Sequence, residues 1–263
     1  MVSDRSSQQA FFGASALLFA ASATLTIAWC ASMSSMGKMP MPGGWAMSMT
    51  WMRMPGQTWI EAAASFLAMW VAMMAAMMLP SLAPMLGRYR RAVGRAGESR
   101  LGRLTALAGL GYFFVWTLFG LAVFPLGVAL AAVEMRIPAL ARAGPVAVGT
   151  VILLAGALQF TPWKAHRLAC CREAPGRNRT LPANAGAAWR QGLVFGLHCG
   201  LSCANLTTIL LVVGVMDLRA MAAVTAAITA ERLAPAGEHA ARAIGTIVAG
   251  TGLLLIAGAV RVG

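Results

Sequence analysis

Long apolar runs, each close to the length that crosses a lipid bilayer as a helix, recur along this chain. We predict about seven helical spans from them, at residues 11–30, 60–86, 104–133, 145–160, 191–214, 218–233 and 240–260. The sixth is short and alanine-rich, so it either spans the membrane or re-enters it. The composition, with 59% apolar and 11% charged residues, agrees with such a fold. The sequence therefore predicts an all-α, polytopic transmembrane helix bundle that forms one domain over residues 1–263.

The chain is strongly basic, with 21 Lys and Arg residues against 8 Asp and Glu residues. The basic side chains cluster in short segments between the apolar runs, above all at residues 87–103 and 162–190. An excess of Lys and Arg is typical of the cytoplasmic loops of membrane proteins. We therefore expect both segments and the amino terminus to be cytoplasmic, in a membrane protein whose charge does not indicate nucleic-acid binding.

Methionine is concentrated on one half of the second predicted helix. Met69, Met73 and Met77 follow one another at intervals of four residues, so they lie on one line, with Met74 and Met78 beside it. Thioether sulfur is a soft ligand that suits Cu(I). The alternative is that these flexible side chains only fill gaps in a helix bundle. The stripe is thus a candidate metal path or a packing surface.

A second methionine-rich segment precedes this helix, at residues 31–58. Its proline and glycine content excludes a continuous helix, and we predict an outer loop. The loop either captures a soft metal ion or lies on the membrane surface with its tryptophans among the headgroups. Its methionines are Met33, Met36, Met39, Met41, Met47, Met49, Met52 and Met54.

The fifth predicted helix carries polar and thiol side chains within an apolar run. His198, Cys199 and Cys203 lie beside a ridge of Gly192, Gly196 and Gly200, and such a ridge allows close helix packing. Polar clusters at membrane depth are functional candidates, although hydrogen bonding between helices is the alternative. If this helix touches the second one, Met73, Cys199 and Cys203 form a three-sulfur Cu(I) site, with Met69, Met77 and His198 as alternates.

The second basic segment holds a further set of metal-binding residue types. His166 and Cys170 are four residues apart, so they share a helical face, and Cys171 follows directly. We interpret these three residues as a candidate inner metal site. The alternative is a pair of reduced cysteines at a helix end.

These motifs resemble those of a bacterial family of integral membrane proteins with a predicted metal-binding, copper-chaperone-like function. The matching elements are the AMMLPS stretch at residues 76–81, the Pro-x-Lys and Cys-Arg pairs at residues 162–172, the glycine and cysteine helix, and a G-x-M turn with a later glutamate. Ser202, Ala204 and Arg167 depart from the pattern, because many relatives have cysteine, tryptophan and cysteine there. The resemblance implies a metal-binding protein of the bacterial inner membrane.

The sequence shows neither a GxxxxGK[ST] phosphate loop nor an HExxH zinc motif, so we expect no enzyme activity. The favoured hypothesis is Cu(I) handling, with copper as cargo and a copper chaperone or cuproenzyme as partner. Two alternatives stay open, a transmembrane thiol–disulfide carrier that uses Cys199 and Cys203, and an assembly partner of a membrane complex.

Overall fold

The computed structural model describes residues 2–35, 39–41, 45–47, 49–53, 56–93, 98–172 and 182–262. These ranges contain a small antiparallel hairpin, β1 (Met39–Met41) and β2 (Trp45–Met47), a 3-10 turn (Met49–Trp51) and eight α-helices. The helices are α1 (Val2–Ser35), α2 (Trp59–Val93), α3 (Glu98–Arg136), α4 (Pro138–Leu158), α5 (Pro162–Arg172), α6 (Ala185–Val213), α7 (Leu218–Leu233) and α8 (Gly237–Val262).

The predicted helix bundle is confirmed, with one difference in the number of spans. Within the described ranges, six helices are long and apolar enough to cross a membrane, namely α1, α2, α3, α4, α6 and α8. The sixth predicted span corresponds to α7, which has the predicted bounds 218–233. With sixteen residues, α7 is too short to be one of these six helices. The orientation of the amino terminus stays a prediction.

The predicted basic loops are shorter than the sequence suggested. In the 87–103 segment, α2 continues to Val93 and α3 begins at Glu98, so that only residues 94–97, which lie outside the described residues, separate the two helices. In the 162–190 segment, α5 occupies the first eleven residues and α6 begins at Ala185. Basic residues are good helix formers, so helices continue past the last apolar residue.

The methionine-rich segment 31–58 is described in part. As predicted, this segment does not form one continuous helix. Helix α1 extends to Ser35, and the hairpin and the 3-10 turn follow. Met36 and Met54 lie outside the described residues, and only the backbone is described for Met39, Met41, Met47 and Met49. The Trp51 ring packs against Phe66 of α2, with the ring centroids 5.4 Å apart, which places this part of the segment beside the start of α2.

The contacts between helices fix the directions of α1, α2, α3 and α6. Arg90, near the end of α2, bonds to Ser7 of α1 and Thr105 of α3, and the Trp70 indole near its start donates to the Trp116 carbonyl. Gly87 of α2 also faces the Phe12 ring of α1, so the contacts between these two helices run in opposite order along them. Therefore α2 is antiparallel to α1 and to α3. We call the end of the bundle that contains Arg90 the basic end.

Glycine allows two helix pairs to pack closely. Along the ridge predicted from the sequence, Gly192 faces Ala108 of α3, and Gly196 faces Tyr112 and Val115, so α3 and α6 run parallel. In the second pair, Gly156 of α4 faces Ala249 of α8, and Gly149 faces Gly252. The first pair holds α6 in the centre of the bundle, where its cysteines are buried.

We predict that Gly192→Ala destabilises the bundle while Gly109→Ala on the facing helix does not. A Cβ atom added at Gly192 would overlap the Ala108 carbonyl oxygen. A Cβ atom added at Gly109 would have no neighbouring atom of another residue packed against it within 4 Å. Such overpacking costs about 1–3 kcal/mol of unfolding free energy. Thermal unfolding in detergent should show a lower Tm for Gly192→Ala only. Equal Tm values for the two variants would contradict the close α3–α6 contact.

Candidate metal centre

Cys199 lies at the point where α2, α3 and α6 converge. Its side chain is fully buried, with 0% exposure. The Cys199 Sγ atom is 3.9 Å from the Met78 Sδ atom of α2 and 2.8 Å from the Tyr112 hydroxyl of α3. A thiol, a thioether and a phenol from three helices thus meet in the apolar core.

Cys203 lies one turn further along α6 and is also buried. Its thiol donates to the Cys199 carbonyl oxygen at a distance of 2.9 Å. Cys199 and Cys203, like the other three cysteines of the chain, are free thiols. The two thiols therefore lie one turn apart on α6, and the first of them contacts Met78.

The methionine that contacts Cys199 is Met78, one residue beyond the line predicted from the sequence. Met73, the third member of the predicted sulfur triad, is buried in the same core, as are the alternates Met69 and Met77. Met78 and Met73 are about 7.5 Å apart along the helix axis, given a rise of about 1.5 Å per residue. The methionine half of α2 is therefore buried in the core, and Met78 is the methionine observed in contact with the Cys199 thiol. The sulfur triad with Met73 stays a prediction.

His198 does not join the two cysteines in a cluster. The imidazole is half-buried on α6. Among the described residues, no three His, Cys, Asp or Glu side chains come together as a group able to hold a metal ion. The additional soft ligand that the structure places at Cys199 is the thioether sulfur of Met78.

The predicted inner set of His166, Cys170 and Cys171 divides between two faces of α5. The His166 Nε2 and Cys170 Sγ atoms are 3.7 Å apart on the outer face. Cys171 is buried and its thiol donates to the Ser202 hydroxyl at 3.3 Å. The structure therefore brings Cys171 toward the Cys199 centre and leaves the other two residues outside it.

Burial raises the pKa of the Cys171 thiol above its ordinary value, although the nearby Arg232 guanidinium and the Ser202 hydroxyl oppose this shift. The thiol is therefore protonated at neutral pH. Metal binding by Cys171 would require the release of this proton.

Arg232, at the end of α7, lies directly beside the Cys199 centre and is 9% exposed. Its guanidinium donates to the hydroxyls of Ser202 at 2.9 Å and Ser81 at 3.3 Å, and to the Cys199 carbonyl oxygen at 3.4 Å. It also lies 3.9 Å from the Cys171 Sγ atom. In the part of the chain that the structure describes, no carboxylate forms an ion pair with Arg232.

Next to Arg232, a buried ion pair joins α5 to α7. The Lys164 ammonium, 1% exposed, is 2.8 Å from a Glu231 carboxylate oxygen and donates to the Ser202 carbonyl oxygen at 2.5 Å. The other carboxylate oxygen of Glu231 accepts from the Gln159 amide at 2.6 Å. This network covers the side of the centre that faces α4 and α5.

Proline and threonine explain why α5 forms and presents Lys164. Pro162 stands at the first position of the helix, where its missing N–H costs nothing. The Thr161 hydroxyl accepts from the Lys164 backbone N–H at 3.3 Å, a capping bond that satisfies one free donor. Lys164 and Glu231 are both part of the sequence resemblance described above, but only the fold shows that they pair.

Tyr112, Met78 and Arg232 were not among the predicted site residues. Met78 belongs to the methionine-rich half of α2, so the signal for it was present. An arginine within an alanine-rich helix, next to a glutamate, was the available signal for Arg232. Nothing in the sequence around Tyr112 distinguishes it from a tyrosine in the core.

The fold and this centre define a polytopic helical protein with a buried sulfur site. The family model PpoB2, described as a copper chaperone, matches residues 67–255. This range is more than half of the chain and includes every residue of the centre, so the chain belongs to this copper chaperone family. No curated protein and no solved structure matches the chain.

We predict that Lys164→Met destabilises the protein much more than Lys164→Met combined with Glu231→Gln. The single change leaves a buried carboxylate without its partner, which costs about 3–5 kcal/mol, whereas the double change removes both charges. Thermal unfolding of the wild type, the two single variants and the double variant gives the coupling between the residues. Additive effects of the two single changes would show that the pair does not act as a unit.

Proposed function

We propose that this protein is a copper chaperone of the bacterial inner membrane that binds Cu(I) as cargo between α2 and α6. The observation that carries the proposal is the buried contact of 3.9 Å between the Cys199 Sγ and Met78 Sδ atoms. Cu(I) is a soft metal ion and prefers thiolate and thioether sulfur as ligands, whereas harder metal ions prefer oxygen ligands. Membership of the copper chaperone family supports copper as the cargo.

The charges around the centre support binding of Cu(I) by two thiolates. Cu(I) held by Cys199 and Cys203 as thiolates would carry one net negative charge inside the bundle. A buried charge is costly unless an opposite charge lies close to it. The Arg232 guanidinium, which bonds to the Cys199 carbonyl oxygen and contacts no carboxylate among the described residues, is placed to balance this charge.

Cys171 is a candidate third thiol on the side of α5. Its Sγ atom and the Cys199 carbonyl oxygen both contact the same Arg232 guanidinium, and its thiol bonds to Ser202 of α6. We infer that copper passes between the Cys199 centre and Cys171, which lies near the end of α5 within the basic segment 162–190. His166 and Cys170, on the outer face of α5, are the next soft ligands along this direction.

The thiol–disulfide carrier predicted as an alternative is less well supported. It requires a bond between the sulfur atoms of Cys199 and Cys203, whose Cα atoms, one helical turn apart, lie near the upper limit for a disulfide. The Cys203 thiol is bonded to the Cys199 carbonyl oxygen at 2.9 Å. The carrier and the assembly partner stay predictions, and we expect the protein to act by binding without a catalytic step.

We predict that Cys199→Ser reduces copper retention to the background level and that Met78→Leu weakens it. Serine replaces the soft thiolate by a hard hydroxyl, and leucine removes the thioether at nearly constant volume. Copper per protein is measured by elemental analysis after anaerobic loading with Cu(I) and removal of the excess by a competing chelator.

Met85→Leu is the matched control, because Met85 is also buried on α2 but lies about 10 Å from Met78 along the helix axis. Met73→Leu tests the sulfur triad predicted from the sequence. Loss of copper in Met73→Leu but not in Met78→Leu would favour that triad over the observed contact. Full copper retention in Cys199→Ser would remove the proposed function.

A further inference from the structure

A second pair of sulfur side chains meets at the end of the bundle opposite the basic end. The Cys30 thiol of α1 donates to the Met216 Sδ atom at 3.7 Å, although the two residues are 186 positions apart in the chain. Met216 stands in the turn between α6 and α7. A soft thiol and a soft thioether from two separate elements thus come into contact outside the Cys199 centre.

The position of this pair follows from the directions of the helices. Ser7 of α1 bonds to Arg90 at the basic end, and a rise of about 1.5 Å per residue places Cys30 about 35 Å further along α1. Helix α6, which is parallel to α3, ends at Val213, about 21 Å along its axis beyond Cys199. The pair is therefore well separated from the Cys199 centre.

The turn that carries Met216 is held by bonds on both sides. Gly214 ends α6 with a φ of +133°, a conformation that favours glycine, and its carbonyl oxygen accepts from the Asp217 backbone N–H at 3.1 Å. The Asp217 side chain in turn caps the start of α7. Val215, which is 1% exposed, anchors the turn in the core. The turn thus fixes the position of Met216 relative to Cys30.

The pair combines a buried thiol with a thioether that is open on one side. Cys30 is 2% exposed, whereas Met216 is half-buried, so part of its surface faces the outside. Met33 follows Cys30 by three residues, lies on the same face of α1 and is also half-buried. One thiol and two thioethers are a ligand set that suits Cu(I).

The number of thiols determines the charge of such a site. Cu(I) bound by one thiolate and neutral thioethers forms an uncharged complex, which needs no countercharge when it is buried. Two thiolates, as proposed for Cys199 and Cys203, leave a net negative charge that requires a guanidinium group nearby. A site with a single thiol can therefore hold Cu(I) without a buried arginine.

We propose that Cys30 and Met216, with Met33 as the third ligand, form a second Cu(I) site at the end of the bundle opposite the basic end. The choice of Cu(I) as the ion rests on the proposed function. The site itself does not follow from family membership, because Cys30 lies before the matched residues 67–255.

Binding at this site exchanges a proton for the metal ion. The Cys30 thiol releases its proton as the Cu–S bond forms, and copper remains Cu(I), so neither an oxidant nor a reductant is needed. With one thiolate instead of two, the site holds copper more weakly than the Cys199 centre does. A strong chelator therefore removes copper from this site first. Its role is the reversible capture of Cu(I), beside the methionine-rich segment that begins where α1 ends.

The test measures Cu(I) binding in the Cys199→Ser background, where the stronger centre does not contribute. Full-length protein in detergent is dialysed to equilibrium, without oxygen or a chelator, against a series of Cu(I)–acetonitrile concentrations, and copper per protein is measured. The added changes are Cys30→Ser and Met216→Leu. The matched control is Met135→Leu, which removes an exposed methionine near the end of α3, at the same end of the bundle.

We expect Cys30→Ser to bind one copper ion fewer than its parent at saturation, because it loses the thiolate. Met216→Leu should bind this ion about tenfold or more weakly, since even changes to outer-shell partners of a metal site cost about 10–100-fold in affinity. Met135→Leu should match the parent. Leucine nearly preserves the volume of methionine, so Met216→Leu tests the site even if Cys30→Ser lowers the stability.

Equal copper binding, with equal affinity, by the parent, Cys30→Ser and Met216→Leu would show that the contact only packs α1 against the turn, and the inference would be wrong. That result leaves the proposed function standing, because the latter is judged by chelator-resistant copper in protein with Cys199 intact. Conversely, equal chelator-resistant copper in the wild type and in Cys199→Ser removes the proposed function, while the dialysis difference still decides the second site.

Discussion

The buried charges of Lys164 and Arg232 constrain the inner part of the structure, because a charged group in an apolar bundle must have partners within the protein. Lys164 of α5 pairs with Glu231 of α7 and bonds to the Ser202 carbonyl oxygen of α6. Arg232, the next residue after Glu231, bonds to α2 through Ser81 and to α6 through Ser202. Helices α5 and α7, which are not among the candidate spans, are thus held against the centre of the bundle by polar contacts.

This arrangement places a positive charge directly beside soft ligands. Cys199 and Met78 supply sulfur from two helices, and the Arg232 guanidinium bonds to the carbonyl oxygen of the same cysteine. A site that holds a cation through thiolates needs such a countercharge, whereas a site of neutral thioethers alone does not.

Much of the fold could be predicted from hydropathy, because the length of an apolar run reports directly on a membrane span. Residues 218–233 were predicted as a helix with the bounds that the structure shows. The start of α4 was predicted at residue 145, but the helix begins at Pro138, where proline fits the first turn. The contact of Met78 rather than Met73 with Cys199 depends on the rotation and tilt of α2, and a single sequence carries no information on either. The Lys164–Glu231 pair is separated by 66 intervening residues, so only the tertiary structure brings the two together.

The most direct test of this account is X-ray absorption spectroscopy at the copper edge on the Cu(I)-loaded protein, with methionine replaced by selenomethionine. The account predicts a first coordination shell of sulfur together with one selenium neighbour, and loss of the selenium signal in Met78→Leu. A shell of nitrogen or oxygen without selenium would contradict the central claim that a thiol of α6 and a thioether of α2 share one copper ion.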